Sequence, residues 1–183
     1  MSAVKQEQKC LAHAIQEYCG CNVFVCYQCG RCSAGCPVAF AFDWQPRQLI
    51  RLIQLDRWAD VLAAHTPWLC ASCLTCAARC PQGLDVAKVM DAIRMLVRQE
   101  GCPIPEPVVE AFHTTFLDMI RQRGRQHELS LMARFKLRGG GLGKDVPLGV
   151  RMLGKGKLRL SGQRAGQGGV LARIFAQAGG KPK

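Results

Sequence analysis

The clearest pattern along the chain is a helical stripe that begins after Asp85. Apolar residues there fall at offsets 0, 3, 4, 7, 10 and 11, which trace one face of a single helix: Val86, Val89, Met90, Ile93, Leu96 and Val97. Asp85 is a good N-cap for this helix, and Gly101 and Pro103 should end it.

Similar spacing predicts further helices on both sides of this stripe. Residues 5–18 are predicted to form a first helix. A second should begin after Phe42, with Asp43 as its cap and Pro46 in its first turn, and carry the apolar residues Leu49, Ile50, Ile53 and Leu55. Trp58–Leu62 should begin a short third one.

Beyond Pro103 one more helix is expected. Pro105 or Pro107 should open it and Gly124 should end or weaken it, with an inward face made of Val109, Phe112, Phe116, Met119 and Ile120. The predicted fold is therefore mainly α.

Composition adds a division of the chain into two parts. The 183 residues carry 25 Lys plus Arg against 13 Asp plus Glu, a formal charge of +12. Residues 121–183 hold 15 of the basic residues, only 2 of the acidic ones, and 14 of the 19 glycines. We expect an α-helical domain over residues 1–125 and an irregular, basic, Gly-rich extension over 126–183 that docks on partner subunits.

The same composition excludes several classes of protein. No apolar run reaches the roughly 18 to 20 residues that a membrane-spanning helix needs, so no transmembrane segment is expected. Residues 1–9 are polar and lack the apolar core of a secretory signal, which predicts a cytoplasmic protein. In a reducing compartment the 12 Cys are expected to be metal ligands rather than disulfides.

Eight of the cysteines form an internal repeat. The spacing C-x2-C-x2-C-x3-C-P occurs twice with an offset of 44 residues, first at Cys26, Cys29, Cys32, Cys36 and Pro37, and again at Cys70, Cys73, Cys76, Cys80 and Pro81. We call these the first and the second run. Three thiolates on a tight loop can reach three iron corners of one [4Fe-4S] cube, so the repeat predicts two [4Fe-4S] clusters.

The fourth cysteine of each run is expected to bind the cluster of the other run. In bacterial two-cluster ferredoxins it binds the other cluster. The expected ligand sets are Cys26, Cys29, Cys32 and Cys80 for the first cluster, and Cys70, Cys73, Cys76 and Cys36 for the second.

Zinc is the alternative, because paired C-x-x-C motifs also build tetrahedral zinc sites. The third cysteine at the same spacing and the fourth before Pro, both repeated, favour iron-sulfur. Four cysteines stay outside the repeat: Cys10, Cys19, Cys21 and Cys102. A third cluster on them has no recognised spacing, and buried thiols are the plainer interpretation.

Apolar residues flank both runs. They are expected to pack and to exclude water from the clusters, which helps to set their reduction potentials: Val23, Phe24, Val25, Tyr27, Phe40, Phe42, Trp68, Leu69 and Leu74.

Two neighbouring one-electron sites indicate an electron carrier rather than a catalyst. No nucleotide-binding or hydrolase motif accompanies the runs, and the four His are scattered. No catalytic residue is therefore predicted in this chain, and no small-molecule substrate.

The sequence resembles the C subunit of heterodisulfide reductase (HdrC) and its bacterial homologues. The resemblance lies in residues 22–57, with the block C-Y-Q-C-G-R-C-S-A-G-C-P, and in residues 68–81, WLCASCLTCAARCP, and it continues weakly at residues 152–158. It implies an α-helical ferredoxin fold with two [4Fe-4S] clusters held by the eight cysteines. It also implies electron relay within an oxidoreductase complex, from a flavin-containing, iron-sulfur partner (HdrA) to a catalytic partner with noncubane clusters (HdrB).

Two rival functions explain part of the sequence. The iron-sulfur arm of another respiratory dehydrogenase usually carries an additional cluster domain or cysteine-rich C-terminal domains. A nucleic-acid-binding protein would use the basic extension, but only two aromatic residues, Phe135 and Phe175, follow position 120, which leaves little to stack on bases. Nucleic acid is therefore not expected as a partner.

Overall fold

In the computed structural model of the chain, residues 10–138, 151–152, 154–155 and 168–178 are described. The described chain is helical and contains no β-strand, which confirms the mainly α prediction. It divides into two compact units, residues 1–106 and 107–183.

The first unit contains seven α-helices and two short 3-10 helices in its described part. The α-helices are α1 (Leu11–Cys19), α2 (Arg31–Ala34), α3 (Pro46–Gln54), α4 (Trp58–Leu62), α5 (Thr66–Leu69), α6 (Thr75–Ala78) and α7 (Val86–Gln99), and the 3-10 helices are Val23–Val25 and Ala39–Ala41.

Helix α7 is the centre of this unit. All six residues of its predicted stripe are buried, and the Asp85 carboxylate accepts a hydrogen bond from Lys88 N at 3.1 Å, as expected of an N-cap. Helices α1, α4, α5 and α6 all pack on α7. One core results, and Leu11, Leu49 and Trp68 also contribute to it.

The repeat in sequence is also a repeat in structure. The short helix Val23–Val25 and α2 both contact α3, and their counterparts about 44 residues later, α5 and α6, both contact α7. Helices α2 and α6 contact each other. Each half is thus a short helix, a cysteine loop, a second short helix and a long helix, and the two halves meet at α2 and α6.

Three details of the predicted helices differ from the structure. Residues 5–9 of the predicted first helix lie outside the described part. Asp43 does not cap α3, whose N-cap is Gln45, and there the Gln48 side chain accepts a hydrogen bond from Gln45 N at 2.9 Å. Leu55 lies just beyond the end of α3 and is 54% exposed, so it does not belong to the apolar face of this helix.

The second unit contains α8 (Pro107–Arg123), α9 (Glu128–Leu137) and α10 (Gly168–Ala178). As predicted, α8 begins at Pro107 and is followed by Gly124, whose φ of 72° suits a residue without a side chain. Phe112 was expected to face inward, but it lies at the surface with its ring edge against Phe135. The basic region therefore has helices at residues 128–137 and 168–178, and the boundary predicted at residue 125 stays a prediction.

Candidate metal centre

Both cysteine loops have the same backbone conformation. Gln28 and Ser72, each two residues after the first cysteine of its run, have φ values of 66° and 49°. Gly30 and Leu74, each two residues later, are also left-handed, and each precedes a short right-handed helix. A left-handed residue beside right-handed ones turns successive N–H groups toward one side and makes a concave site that suits an anion. Such loops fit an anionic iron-sulfur cluster.

The second loop forms one wall of a partly enclosed cavity. Cys70, Cys73 and Cys76 line it together with Cys36, the fourth cysteine of the first run. About 370 Å³ inside it is not filled by protein atoms, part of this being open to solvent. The rest of the lining is largely apolar: Val38, Phe42, Pro46, Ala71, Thr75, Val86, Ala87 and Met90. The structure thus brings together the four residues of the second expected ligand set.

The residues of the first expected set lie close to the same core. Cys26, Cys32 and Cys80 are half-buried and Cys29 is exposed. Cys32 lies within electrostatic range of Cys26 and of Cys76 in the second loop. The contact of Cys80 with the other three stays a prediction.

A close approach joins the two runs next to their fourth cysteines. Gly35 precedes Cys36, and Arg79 precedes Cys80. A Cβ added at Gly35 would lie only 2.6 Å from Nη1 of Arg79. The glycine therefore leaves room for the Arg79 side chain, and a guanidinium group lies between the two halves.

Hydrogen bonds reach several of the ligand sulfurs. Gln28 Nε2 donates to Cys26 Sγ at 3.5 Å, and Leu84 N donates to Cys80 Sγ at 3.3 Å. The Cys73 sulfur lies 3.4 Å from the Thr75 hydroxyl oxygen. A hydroxyl can donate to a thiolate, so all three contacts can stabilise a metal-bound, deprotonated cysteine.

The pKa values of the thiols vary with their surroundings. Burial raises the pKa of Cys76 to about 11 and raises that of Cys32, whereas the hydrogen bond with Thr75 lowers the pKa of Cys73. A thiol that binds a metal loses its proton. Without metal, Cys76 is protonated at neutral pH.

Polar side chains elsewhere hold the loops in place. Gln54, at the end of α3, donates from Nε2 to Val23 O at 2.9 Å and to Cys26 O at 3.0 Å. In the second half, Arg94 of α7 donates from Nη2 to Ser72 Oγ at 3.3 Å. Each long helix is therefore tied to the loop of its own half.

Sequence reasoning did not identify these supporting residues. Gln28 and Thr75 lie inside the runs, so their positions between the ligand cysteines could have indicated a contact with sulfur. Gln54 and Arg94 lie 28 and 22 residues from their partners, and no local pattern indicates such contacts.

Of the apolar residues expected to cover the clusters, some are buried in the structure and others are exposed. Val23 and Trp68 are buried and Phe42 and Leu69 are half-buried. The other five are exposed, so the prediction that they pack is wrong: Phe24 (52%), Val25 (39%), Tyr27 (59%), Phe40 (89%) and Leu74 (55%). Phe24, Val25 and Phe40 lie in the short 3-10 helices and the other two lie in the cysteine loops, and in such short segments a side chain can point away from the core.

The four cysteines outside the repeat lie at or near the ends of α1 and α7. Cys19 Sγ lies 3.2 Å from Ile15 O, and Cys21 Sγ lies 3.9 Å from Asp85 O. Burial raises the pKa of Cys19 to about 11. Within residues 10–138 and the described parts of the tail, no group of three metal-binding side chains converges on a single-ion site.

Comparison with known proteins places the metal centre in a described domain. Residues 22–84 match the family described as 4Fe-4S dicluster domain. They include both runs.

Similar proteins match a longer part of the chain than this domain. The C subunit of a ferredoxin/F420H2-dependent CoB-CoM heterodisulfide reductase of Methanosarcina acetivorans is 33% identical over 118 residues, which are 61% of this chain and 72% of that protein. The C subunit of a ferredoxin:CoB-CoM heterodisulfide reductase of Methanosarcina mazei gives the same identity and coverage. The corresponding iron-sulfur protein of the CoB-CoM heterodisulfide reductase of Methanopyrus kandleri is 34% identical over 80 residues, 44% of this chain and 42% of that protein. The chain thus spans less than half of one relative and nearly three quarters of the others.

A membrane crossing by a helix requires both length and apolar character. None of the helices in the described ranges combines the two.

Proposed function

Because the chain belongs to the HdrC family of heterodisulfide reductase proteins, we propose that it is the electron-transfer component of a heterodisulfide reductase-type complex. In this proposal it binds two [4Fe-4S] clusters and relays electrons from a flavin-containing partner (HdrA) to a catalytic partner (HdrB). The final acceptor is determined by the partner proteins.

The cavity that joins Cys36 to Cys70, Cys73 and Cys76 carries this proposal. A [4Fe-4S] cluster supplies one-electron chemistry when bound. The eight cysteines would hold two such clusters, the first with Cys26, Cys29, Cys32 and Cys80, and the second with the cavity set. Since α2 contacts α6, the two sites belong to neighbouring loops, as a relay requires.

The surroundings of the cysteines support electron transfer without other chemistry. Val86, Ala87 and Met90 exclude water from the inner side of the second site, while Cys29 and Cys73 are exposed at the outer side. An exposed edge beside a shielded interior lets a partner approach each site closely.

The cluster count tests the proposal. The full chain, purified or reconstituted without oxygen, should contain about eight irons and eight sulfides, as two cubanes require. About four irons, or zinc in their place, would contradict it.

Replacing Cys36 tests the exchange of ligands. Cys36→Ala should damage the cluster of Cys70, Cys73 and Cys76 and spare the one of its own run, because Cys36 lies in the cavity of the second loop. EPR spectra of the reduced protein would show one signal lost or altered and one retained. Cys102→Ala, outside the repeat, is the matched control and should keep both signals; loss of the first-run signal alone in Cys36→Ala would refute the exchange.

A further inference from the structure

The two cluster sites can be compared position by position, because the halves repeat with an offset of 44. Arg31 of the first half corresponds to Thr75 of the second, and Arg47 corresponds to Asp91. The cysteines are the same in both halves, but the charges around them are not.

Two arginines accompany the first loop. Arg31 lies between Cys29 and Cys32 in the chain, and Arg47 Cδ is 3.7 Å from the Cβ position of Gly30, the residue after Cys29. Among the described residues neither arginine has a carboxylate partner. The first loop therefore has two uncompensated positive charges nearby.

The second loop has a neutral pair instead. Arg94 contacts Ser72 between Cys70 and Cys73, but it also forms an ion pair with Asp91. Arg98, further along α7, lies over the ring of Trp68 at 5.2 Å from its centroid. Close to the loop, the Asp91 carboxylate cancels the charge of Arg94.

Charge is the main difference, because burial and hydrogen bonding are similar in the two sets. Each expected set has three half-buried cysteines and one exposed one. Gln28, Ser33 and Leu84 donate hydrogen bonds to sulfurs of the first set, and Thr75 and Ala77 donate to sulfurs of the second. The second set also faces the apolar cavity. Arg79 precedes Cys80 of the first set in the chain, while its guanidinium lies beside Gly35, next to Cys36 of the second set.

The difference in charge acts on the added electron. Reduction makes a cluster more negative, so nearby cations and donors to sulfur favour the reduced form, and apolar surroundings disfavour it. We propose that the site of Cys26, Cys29 and Cys32 has a higher reduction potential than the site of Cys70, Cys73 and Cys76, with Arg31 and Arg47 as the residues that set the difference.

This order gives the relay a direction and rests on the proposed two-cluster function. One electron passes from the second-run site, which is thereby oxidised, to the first-run site, which is thereby reduced. The electron donor then faces the second loop, and the acceptor faces the first loop with its two arginines.

A redox titration of the full, cluster-loaded chain, followed by EPR, tests the proposal. The wild type should show two potentials. In Arg31→Gln/Arg47→Gln the higher potential should shift down while the lower one stays, because two cations are removed from the first loop. In Asp91→Asn the lower potential should shift up, because Arg94 loses its counter-charge. Both variants should therefore bring the two reduction potentials closer together.

Arg57→Gln is the control for loss of a surface charge. Arg57 pairs with Asp60 at the start of α4, away from the cysteine runs in sequence, so both potentials should remain unchanged. The proposal is overturned if the double variant shifts the lower potential, or if neither variant shifts either potential while iron content equals that of the wild type. A wild type with fewer than two clusters would instead contradict the proposed function itself.

Discussion

At the scale of single residues, Gly30 and Leu74 occupy corresponding positions in the shared loop conformation but differ in whether they carry a Cβ. Both are left-handed, with φ of 83° and 62°, and both precede a short helix. A left-handed conformation costs a residue with a Cβ roughly 1 to 2 kcal/mol, but costs glycine almost nothing. The second loop therefore keeps at Leu74 a strain that the first loop avoids.

Exchanging these residues should change stability in opposite directions. Leu74→Gly should raise the thermal midpoint of the cluster-loaded chain by about 2 °C, since strain relief exceeds the small loss from a side chain that is already 55% exposed. Gly30→Leu should lower the free energy of unfolding by about 1 to 2 kcal/mol. Calorimetry at one scan rate would measure both.

A fall in the midpoint of Leu74→Gly by more than about 4 °C would contradict this interpretation. It would mean that the Leu74 side chain packs on a surface that outweighs the backbone strain. The control is Gly83→Ala, because Gly83 has a φ of 66° and nothing lies within 4 Å of the added Cβ. This variant measures the cost of placing a residue with a Cβ in the left-handed conformation. Leu55→Gly is less suitable because Leu55 follows a helix.

At the scale of elements, Asp43 connects the segment after the first run to the helix before the second. Its carboxylate accepts hydrogen bonds from Thr66 N at 2.9 Å, Thr66 Oγ1 at 2.6 Å and His65 N at 2.8 Å. Partial burial raises the pKa of Asp43, but these hydrogen bonds and that from Trp44 N outweigh burial and hold the pKa below its ordinary value. The ionised carboxylate thus fixes the start of α5, which leads directly into Cys70.

Asp43→Asn should lower the free energy of unfolding by about 1 to 2 kcal/mol at pH 7, because the amide presents only one acceptor atom to these donors. Since the folded pKa of Asp43 is depressed, the stabilisation is complete above the unfolded value near 3.8 and is lost only as pH falls through the lower folded value. The difference between wild type and variant should therefore stay constant from about pH 8 to about pH 5. Thermal midpoints measured across that range check the prediction.

Two outcomes would contradict it. With the measurements extended to about pH 2, a difference that does not shrink below about pH 4 would mean that the pKa of Asp43 is not depressed, because a group with equal folded and unfolded pKa values contributes no pH dependence. The second outcome is an effect no larger than that of Asp60→Asn, which would mean that the hydrogen bonds contribute little. Asp60 is half-buried and pairs with the exposed Arg57, and less than about 1 kcal/mol is expected for such a pair.

The sequence predicted the elements better than the contacts between them. Helix α7 follows from six apolar positions and an N-cap, because both signals are local. Asp43 was assigned to the wrong helix because a short polar side chain can cap either the next helix or one more than 20 residues away. The convergence of Cys36 with the second run was expected only by analogy with ferredoxins, since sequence spacing does not determine which loops meet.

At the scale of the whole molecule, the eight run cysteines all belong to the first unit, and most of the basic charge belongs to the second. No run cysteine lies beyond residue 106, while residues 121–183 carry 15 of the 25 basic residues. We propose that cluster binding and partner docking are separated in the same way along the chain.

Deleting residues 139–183 should therefore leave about eight irons per chain and weaken co-purification with partner proteins. The matched variant keeps the full length but replaces the nine Lys and Arg of this segment by Gln, and should weaken the complex to a similar degree if charge is what docks. Iron analysis and complex yield are the measurements. An unchanged yield in both variants would mean that the segment is not a docking element.

The contact between α2 and α6, with Cys36 facing the second loop, also bears on how the chain arose. Two identical half-length chains related by a two-fold axis would each present their fourth cysteine to the other copy, because every contact in such a dimer occurs twice. Joining the copies end to end produces a tandem duplication with this topology. After such a fusion the halves no longer have to be identical, and Gly35 opposite Arg79, or Arg47 against Asp91, are differences that a homodimer could not have had.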